Sequence, residues 1–389
     1  MTLPVLQPLV LPTGPAVLRA RSQLEAMLTG EGGAFLPMPA DDPAQARLLA
    51  DALGAGAPID PHCSLVISTS GTTGVPKGAM HTPQTLRASA AATAEVLGGP
   101  GGWLLTLPPH HIAGLQVLLR SLAAGHTPVV MDLASGFDPA RLPAAIDALE
   151  APRRYTSLVP LQLRKALDHP GATSALATLD AILVGGAATG PALAARAREA
   201  ELPIVTTYGM SETAGGCVYD GRPLPGTRVR LADAGAGGVG RIELGGPTVA
   251  LGYRNRPGHR AFADPGWFRT DDLGALDHGV LRVVGRADEA ISTGGLTVVP
   301  QVVEAVVETV PGVSACAVFG VPDERLGEQI VAALVCPGPP PSLEQVQTAV
   351  RLKLDRYAAP RRVMVVDELP LRGPGKVDRA ALRRLFVPS

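Results

Sequence analysis

The chain has 389 residues, 46% of them hydrophobic, and this size and apolar content predict a globular protein of two or three domains with a large core. Its net charge of −1 argues against nucleic acid or an anionic membrane as the main partner. We expect a cytoplasmic protein with no signal peptide, membrane span or cysteine metal site, because no basic segment precedes a long apolar run and the four cysteines lie far apart.

The first part of the chain predicts alternating strands and helices. Residues 1–60 are rich in Ala, Leu and Pro and contain one predicted helix, at 42–54. From 64 to 210 the alternation favours a largely parallel sheet, with ligand sites beyond the carboxyl ends of its strands. Thr82 is the expected N-cap of a helix that has Pro83 at its first position. The predicted strands are 64–69, 102–108, 127–132, 180–188 and 202–209, and the predicted helices are 82–97, 112–125 and 190–200.

The second part changes character twice. Residues 221–286 predict short β segments joined by turns, and a smaller α+β unit follows. The predicted fold class is therefore α/β, with a large N-terminal domain (1–286) of layered mixed sheets and helices that includes a β-rich subdomain. A small, mobile α+β domain (287–389) completes the chain. Its predicted elements are a helix at 300–310, strands at 314–321, 329–336 and 361–369, and a helix that Ser342 and Gln345 open.

The stretch "STSGTTGVPKG" at residues 68–78 combines hydroxyls, glycines and a lysine after an apolar strand. One interpretation is a flexible turn, because Gly, Ser and Thr are ordinary loop residues. A Walker-type P-loop is excluded, because Pro76 precedes Lys77 and Gly78 follows it. We favour another phosphate cradle, in which backbone N–H groups, hydroxyls and one ammonium surround the phosphates. Its predicted residues are Ser68, Thr69, Ser70, Gly71, Thr72, Thr73, Gly74 and Lys77.

A second polar stretch, "TYGMSET" at 207–213, also follows a predicted strand. Tyr208 has the shape to stack on a purine, and Glu212 has the oxygen ligands that suit a divalent cation bridging phosphates. The competing interpretation is a polar turn at a strand end. Because the phosphate loop and the Gly185–Gly186 pair also follow strand ends, we favour one shared nucleotide site.

Three further features carry chemistry only if they reach that site. Asp272 has the geometry to accept both ribose hydroxyls and Arg286 to bond ribose or phosphate oxygens, but a surface ion pair is the alternative. Lys376, in "RGPGKVDR", is either a solvated lysine or a cation that enters the site when its domain closes. His110 and His111 stand at a strand-to-helix junction, where one of them lines an acyl pocket or moves a proton, or both are buried or capping residues.

Together, "STSGTTGVPKG", "YGMSET", "GWFRTDDLG", "GRADEAISTGG" and "GPGKVDR" resemble, in this order and spacing, the motifs of the acyl-adenylate-forming (AMP-binding) superfamily. That superfamily includes acyl-CoA synthetases, adenylation domains and luciferases, and the resemblance covers residues 62–389. Within it, the short N-terminal region, "LPPHHIAGLQVLLRSL" and "SLVPLQLRKAL" are most similar to the o-succinylbenzoate–CoA ligases of menaquinone biosynthesis.

The resemblance implies a two-step reaction. A substrate carboxylate attacks the α-phosphorus of ATP to give acyl-AMP and pyrophosphate, and the CoA thiol then displaces AMP. Because both reactants of the first step are anions, Mg²⁺ on Glu212, the loop amides and Lys376 must neutralise charge, with His111 as a further catalytic residue. The other nucleotide-binding residues that the resemblance implies are Gly185, Gly186, Ala187, Tyr208, Gly209, Met210, Ser211, Thr213, Asp272 and Arg286.

The resemblance also implies a rotation of the small domain between the two steps. The hinge maps to Asp288, and the loop that replaces Lys376 includes Gly294 and Gly295. The chain departs from the family pattern at Asp271, where a glycine is usual, in "ISTGG", which lacks a common lysine, and in its short N-terminal region. A homodimer, common among relatives, is one way to complete the wall that this region normally provides.

Other functions stay open at this point. The acid could be another aryl or short-chain carboxylic acid, the acceptor a carrier protein, or the chain a non-catalytic nucleotide-binding scaffold. The ring carboxylate of o-succinylbenzoate should require a polar or cationic partner, and the sequence does not identify that residue.

Overall fold

The computed structural model describes residues 3–69, 75–235, 238–371 and 376–386. Its contacts divide the chain into two compact units. Unit 1 comprises residues 1–188, 196–230 and 243–269, and unit 2 comprises residues 189–195, 231–242 and 270–389. In the part of the chain that the structure describes, no helix has the length and apolar character needed to cross a bilayer.

The first sheet of unit 1 carries the predicted phosphate loop. Strands β1, β2 and β3 are parallel, and β4 pairs antiparallel with β3. The loop therefore joins the two strands of a hairpin and does not lead directly into a helix as predicted. The run "KGAMH" is too short and too poor in β-branched residues to predict a strand, and its pairing with β3 makes it one. The strands are β1 (Leu6–Leu11), β2 (Ala34–Pro39), β3 (Leu65–Thr69) and β4 (Lys77–His81).

The second sheet of unit 1 confirms the largely parallel prediction for the segments after residue 100. Its order is β11-β10-β9-β8-β7-β5-β6, with β5 to β9 parallel and β10 and β11 antiparallel at one edge. The prediction of one sheet over residues 64–210 was wrong, because β3 pairs with the unpredicted strands β1 and β2. The strands are β5 (Gly102–Leu105), β6 (Val129–Val130), β7 (Arg154–Leu158), β8 (Ala181–Val184), β9 (Ile204–Met210), β10 (Gly215–Tyr219) and β11 (Arg222–Pro223).

Helices lie between and around these sheets. In α3, Thr82 accepts a hydrogen bond from the Thr85 N–H and Pro83 is the first residue, as predicted. The helices are α1 (Arg21–Thr29), α2 (Pro43–Leu53), α3 (Pro83–Val96), α4 (Ile112–Ala123), α5 (Leu142–Asp147), α6 (Pro160–Leu167) and α7 (Pro170–Leu176). A further helix, α8 (Pro191–Glu199), contributes residues to both units.

In the core of unit 1 both sheets pack against helix α3, and each also contacts a further helix. Helices α3 and α4 contact strands of the second sheet, while α1 and α3 contact strands of the first. Leu65 of β3, Leu86 of α3 and Leu118 of α4 are fully buried in one cluster with Tyr155 of β7. Burial of each such side chain stabilises the fold by about 1.5–3 kcal/mol. The strand ends that bear the predicted motifs are thereby held at fixed positions in unit 1.

A third sheet has the order β12-β13-β14-β15, with β14 and β15 antiparallel, and supplies residues to both units. Its last two strands carry Asp272 and Arg286. The strands are β12 (Arg228–Ala232), β13 (Val239–Gly245), β14 (Trp267–Asp277) and β15 (Val280–Arg286).

Unit 2 also contains the C-terminal α+β fold. Its sheet runs β17-β16-β19-β18, and β20 pairs parallel with β19. The strands are β16 (Ile291–Thr293), β17 (Leu296–Val298), β18 (Ala315–Asp323), β19 (Gly327–Val335) and β20 (Arg362–Val365), and the helices are α9 (Pro300–Val307), α10 (Leu343–Lys353) and α11 (Arg379–Phe386). Val303 and Val307 of α9 pack with Val346 of α10 on one face of the sheet. The elements predicted after residue 300 are all present, and Ser342 and Gln345 form the predicted capping box.

Candidate active site

The hairpin β3–β4 holds the two ends of the predicted phosphate loop. Ser68 and Thr69 end β3, and Thr69 pairs with Lys77, the first residue of β4. The buried Thr69 hydroxyl has no hydrogen-bond partner among the described residues, so it is a donor suited to a phosphate oxygen. The remaining predicted loop residues, Ser70, Gly71, Thr72, Thr73 and Gly74, lie outside the described residues.

Tyr253 connects the predicted lysine with the predicted metal ligand. The Lys77 ammonium lies 4.5 Å from the centroid of the Tyr253 ring, a cation–π contact. The Tyr253 hydroxyl donates a hydrogen bond to Glu212 Oε1 at 2.5 Å, and Glu212 is only 6% exposed. One buried ring therefore contacts the cation of the phosphate hairpin with its face and the buried carboxylate with its hydroxyl. Tyr253 was not among the predicted site residues, because its contacts are long-range.

Ser211 ties the "SET" turn to the phosphate hairpin. Its hydroxyl donates to the Ser68 carbonyl at 3.0 Å, and its own carbonyl lies 2.6 Å from Nε2 of His81. Burial lowers the pKa of His81 to about 4, and the Ser211 carbonyl opposes this shift only in part. The imidazole is therefore neutral near pH 7, and its Nε2–H donates to that carbonyl. The carboxyl ends of strands from two different sheets are thus joined next to Glu212.

The predicted adenine slot lies where β8 and β9 end side by side. A Cβ at Gly185 would come within 2.2 Å of Thr207 Oγ1, and Gly186 has a φ of +82°. A Cβ at Gly209 would come within 2.1 Å of the Gly215 carbonyl. A side chain at 185 would therefore clash with that of Thr207, one at 209 would clash with the backbone of Gly215, and the positive φ at 186 favours glycine. The last predicted slot residues, Ala187 and Tyr208, lie just after β8 and near the end of β9. Met210 and Thr213, also predicted to bind the nucleotide, lie at the end of β9 and in the turn after it, and all these nucleotide contacts remain predictions.

His110 and His111 form the turn that leads into α4. Their rings lie 4.3 Å apart, and His111 is the N-cap residue of the helix. A Cβ at Gly114 would come within 2.2 Å of the Pro108 carbonyl, so this glycine lets the turn pack on the helix. Burial lowers the pKa of His110, although Asp41 and Asp42 oppose the shift. The proposed catalytic role of His111 remains a prediction.

The same helix carries a buried arginine that the sequence analysis missed. Arg120 is 6% exposed, and its Nε has no hydrogen-bond partner among the described residues. Its guanidinium carbon lies 5.4 Å from the centroid of the Trp103 ring, and Nη2 lies 3.9 Å from a Cβ built on Gly215. Within the described chain no carboxylate pairs with it. A signal was available, since α4 is apolar nearly all round and a helix of that kind is buried.

Unit 2 contains the predicted ribose ligands. Asp272 is 9% exposed, and Arg286 Nη1 lies 3.4 Å from its Oδ1. Arg286 also donates two hydrogen bonds of 2.8 Å to the carboxylate of Asp288, the predicted hinge residue. Burial opposes the guanidinium charge, but Asp288 and Asp272 prevail and raise the pKa of Arg286. The structure thus places three predicted residues in one ion-pair cluster, and their binding and hinge roles remain predictions.

The unusual Asp271 points away from this cluster. It alternates with Asp272 along β14, so the two side chains leave opposite faces of the strand. Arg241 Nη1 lies 2.7 Å from Asp271 Oδ1, and about half of the Asp271 side chain is exposed. The extra carboxylate is neutralised by a neighbouring arginine and does not face the proposed ribose ligand.

Lys376 lies at an exposed position next to a hydrogen-bonded segment at residues 377–378. Leu371 and Val377 form a β-bridge, and the Asp378 N–H donates to the Pro370 carbonyl at 2.7 Å. The neighbouring predicted-loop residues 372–375 lie outside the described residues. Gly294 and Gly295, the predicted incoming loop, form the turn between β16 and β17 with φ of +57° and +81°.

The described residues contain no cluster of three or more His, Cys, Asp or Glu side chains suited to a metal ion. Mg²⁺ bound to a nucleotide does not need such a cluster, because phosphates and water supply most of its ligands beside one or two carboxylates. Buried Glu212, next to the phosphate hairpin, fits that requirement.

Comparisons with known proteins agree with this geometry. A family model described as AMP-binding enzyme matches residues 19–254, and one described as AMP-binding enzyme C-terminal domain matches residues 302–376. The chain is 54% identical to a probable 2-succinylbenzoate–CoA ligase of Mycobacterium tuberculosis, over 97% of each chain.

Two solved structures from Bacillus subtilis are similar over 97% of this chain at 25% identity. One is an o-succinylbenzoate CoA synthetase (MenE) in complex with the acyl-adenylate intermediate OSB-AMP, with a TM-score of 0.81 over 88% of that chain. The other is the same synthetase with ATP and a magnesium ion, with a TM-score of 0.80 over 89% of that chain. These similarities confirm the predicted fold class, a large N-terminal domain of mixed sheets and helices followed by a small C-terminal domain.

Proposed function

The chain belongs to the AMP-binding enzyme family, and from this premise we propose that it is an ATP-dependent acid–CoA ligase. The proposed reaction converts o-succinylbenzoate through an acyl-AMP intermediate into o-succinylbenzoyl-CoA, a step of menaquinone biosynthesis. The name of the relative that is 54% identical and the OSB-AMP bound to the similar synthetase support this choice of acid.

The observation that carries the choice of acid is the buried Arg120, which pairs with no carboxylate among the described residues. A charged guanidinium is costly to bury without an anion. Arg120 lies beside Gly215, and Gly215 follows the turn that holds Glu212. o-Succinylbenzoate has one carboxylate to activate and a second that remains on the ring. We propose that Arg120 binds the ring carboxylate while the succinyl carboxylate reacts.

In the proposed adenylation step, residues of this chain hold two anions together. Lys77 and the Thr69 hydroxyl would bind the phosphates, and Ser211 would keep the turn that bears Glu212 against the hairpin. Mg²⁺, when bound through Glu212, would neutralise part of the phosphate charge. Alignment of the reacting carboxylate with the α-phosphorus would rest on Arg120 at the other end of the acid, and such positioning accounts for much of enzymatic rate enhancement.

The remaining roles follow from the motifs. Asp272 and Arg286 would bind the ribose and its phosphate, and Lys376 would contact the reacting carboxylate and the α-phosphate. A rotation about Asp288 would then withdraw Lys376 and bring in the loop with Gly294 and Gly295 for attack by the CoA thiol. A cytoplasmic location and a homodimer also remain predictions.

The test compares two acids that differ only in the ring carboxylate. 3-Benzoylpropionate is o-succinylbenzoate without that group. CoA-dependent AMP production should show a large preference for o-succinylbenzoate in the wild-type protein. In R120M, kcat/KM for o-succinylbenzoate should fall about 10–100-fold, the value of one charged hydrogen-bonded pair, while 3-benzoylpropionate changes less than about threefold.

The control is R87M, because Arg87 is an exposed helical arginine of unit 1 whose hydrogen bond among the described residues goes to the Leu28 carbonyl. It should leave the preference between the two acids unchanged. If R120M lowers activity equally with both acids, Arg120 does not bind the ring carboxylate. If other aryl or short-chain acids are better substrates than o-succinylbenzoate for the wild-type protein, the ligase acts on one of those instead. Product formation on a carrier protein without CoA would support a carrier protein as the acceptor. No pyrophosphate release with any acid would support a non-catalytic nucleotide-binding scaffold.

A further inference from the structure

An arginine with three hydrogen-bonding partners follows Lys376 by three residues. Arg379 is the first residue of α11, and only 13% of its side chain is exposed. Its Nη1 lies 2.8 Å from Glu289 Oε2 and its Nη2 lies 2.6 Å from Glu304 Oε1. Its Nε donates to the Val318 carbonyl at 3.0 Å. A planar guanidinium with every nitrogen engaged has a single orientation.

The two carboxylates also accept hydrogen bonds from groups other than Arg379. Glu304 Oε1 also accepts from the Val318 N–H at 2.7 Å, and the Gln301 amide donates to Glu289 Oε2 at 2.5 Å. Burial raises the pKa of Glu304, and Arg379 opposes that shift. Helix α9, strand β18 and the segment before β16 therefore meet at one side chain.

The contacts also reach the residue next to Lys376. Val377 forms a β-bridge with Leu371. Asp378 caps α11, because its carboxylate accepts from the Ala381 N–H at 3.0 Å. Between the Val377 bridge and the Arg379 side chain the backbone is held at both ends, so the position of Lys376 depends on how α11 is anchored.

On the other side the contacts reach the predicted hinge. Glu289 ends the short helical turn Ala287–Glu289, whose central residue, Asp288, accepts two hydrogen bonds from Arg286. Arg379 thus joins the turn that carries the predicted hinge to the segment that carries the predicted catalytic lysine.

We propose that Arg379 is a positioning residue for the adenylation half-reaction. It fixes the position of Lys376 relative to the turn at Asp288, so that a rotation at this turn moves the lysine as part of a rigid unit. This proposal rests on the proposed function. A displacement of a reacting group by 1 Å costs about 100-fold in rate, so a loose anchor should harm the step that uses Lys376. The thioester-forming step, from which Lys376 is withdrawn, should be spared.

The test measures the two half-reactions separately, as acid-dependent exchange of pyrophosphate into ATP and as thioester formation from supplied acyl-AMP. The variant R379Q/E304Q replaces Arg379 and Glu304 by neutral groups of similar shape, so that Glu304 is not left buried without its cation. Glu289, the other carboxylate that Arg379 contacts, keeps its hydrogen bond from the Gln301 amide. We expect a fall in exchange of about 10–100-fold in kcat, less than about twofold change in the KM for ATP, and thioester formation within about threefold of wild type. K376A gives the ceiling of this effect, about 100–1,000-fold.

Arg383 supplies the matched control, because it lies on the same helix, donates to the Gly320 carbonyl and pairs with no carboxylate among the described residues. R383Q should change neither half-reaction more than about twofold. If R379Q/E304Q does not fold, R379K takes its place, since it keeps the charge and loses the fixed fork. Equal losses in both half-reactions, or no loss in either, would overturn the proposal.

A second measurement separates this proposal from the proposed function. Backbone amide hydrogen exchange at residues 377–382 should be faster in R379Q/E304Q than in wild type and unchanged in R383Q. If the wild-type protein activates no acid, the proposed function fails, whatever the amides show. If the wild type is active and these amides exchange at wild-type rates in R379Q/E304Q, the anchor itself is wrong.

Discussion

Arg120 in unit 1 and Arg379 in unit 2 are both largely buried, and they differ in what surrounds them. Arg120 packs against the Trp103 ring and has no carboxylate partner among the described residues. Arg379 contacts two carboxylates and a backbone carbonyl. The two arginines are therefore similarly buried, but only Arg379 has its charge and its hydrogen-bond donors paired with groups of the described chain.

The difference indicates what each residue is for. A fully satisfied buried ion cluster orders the segments that contribute to it, whereas a buried charge without a protein counter-ion is a place for an anion from outside. On this argument Arg379 serves the architecture around Lys376, and Arg120 serves the substrate. The contrast also predicts opposite effects of removal on stability and on activity.

The largest expected effect is on the free energy of unfolding. R379M would leave Glu289 and Glu304 without their cation, and breaking a buried pair in this way destabilises by about 3–5 kcal/mol. R120M breaks no ion pair with a described residue, so its free energy of unfolding should equal or exceed that of wild type. Urea titration of the three proteins, followed by circular dichroism, measures both differences.

The double variant R379M/E304L is the control for this prediction. Removing Arg379 together with Glu304, the more buried of its two carboxylate partners, should restore much of the lost stability, as replacement of a buried pair by apolar groups often does. A loss of several kcal/mol in R120M would mean that Arg120 has a structural role in the ligand-free protein, and the comparison between the two arginines would fail.

Local signals in the sequence predicted the elements whose determinants lie close together in the chain. Helix α3 follows from Thr82 and Pro83, and the capping box of α10 follows from Ser342 and Gln345. Strands β1, β2 and β4 were missed, because their identity depends on pairing with β3 and not on their own composition. The assignment of β3 to a separate sheet was beyond prediction for the same reason.

The candidate site shows the same division. Lys77, Glu212 and Asp272 were named from motifs, and the structure brings the first two onto one tyrosine. The role of Tyr253 could not be predicted, because contacts between residues distant in sequence leave no local pattern. Arg120 could have been found, since a helix that is apolar nearly all round is buried, and a charged residue on it is expected to be buried as well.

His81 is a third buried titratable side chain, and unlike the two arginines it is stable in its buried position only in the neutral form. Burial lowers the pKa of His81 from 6.5 to about 4. The folded state therefore disfavours the protonated form, so this contribution to stability is complete above pH 6.5 and is lost as the pH falls from 6.5 towards 4. The full contribution is about 3 kcal/mol. Urea titrations at several pH values between 7 and 4 should show it.

In H81Q the stability should fall less steeply over this pH range than in wild type, because the titrating group is gone. H62Q, at an exposed position, should retain the wild-type dependence on pH. Parallel curves for wild type and H81Q would show that the imidazole is not held neutral at the Ser211 carbonyl.

The smallest expected effect concerns the neighbouring residues Asp271 and Asp272. They have the same side chain but differ in burial, whereas the two arginines differ in their partners. Asp271 forms a half-exposed ion pair with Arg241, and pairs of that kind contribute about 1 kcal/mol or less. D271N should therefore change both the free energy of unfolding and the KM for ATP only slightly, less than about twofold for KM.

D272N removes the carboxylate proposed to accept both ribose hydroxyls, so the KM for ATP should rise about tenfold or more. Steady-state pyrophosphate exchange at varied ATP measures both. A large KM effect in D271N would mean that both carboxylates face the nucleotide, and alternation along β14 would then no longer explain how the chain accommodates an acid where its relatives have glycine.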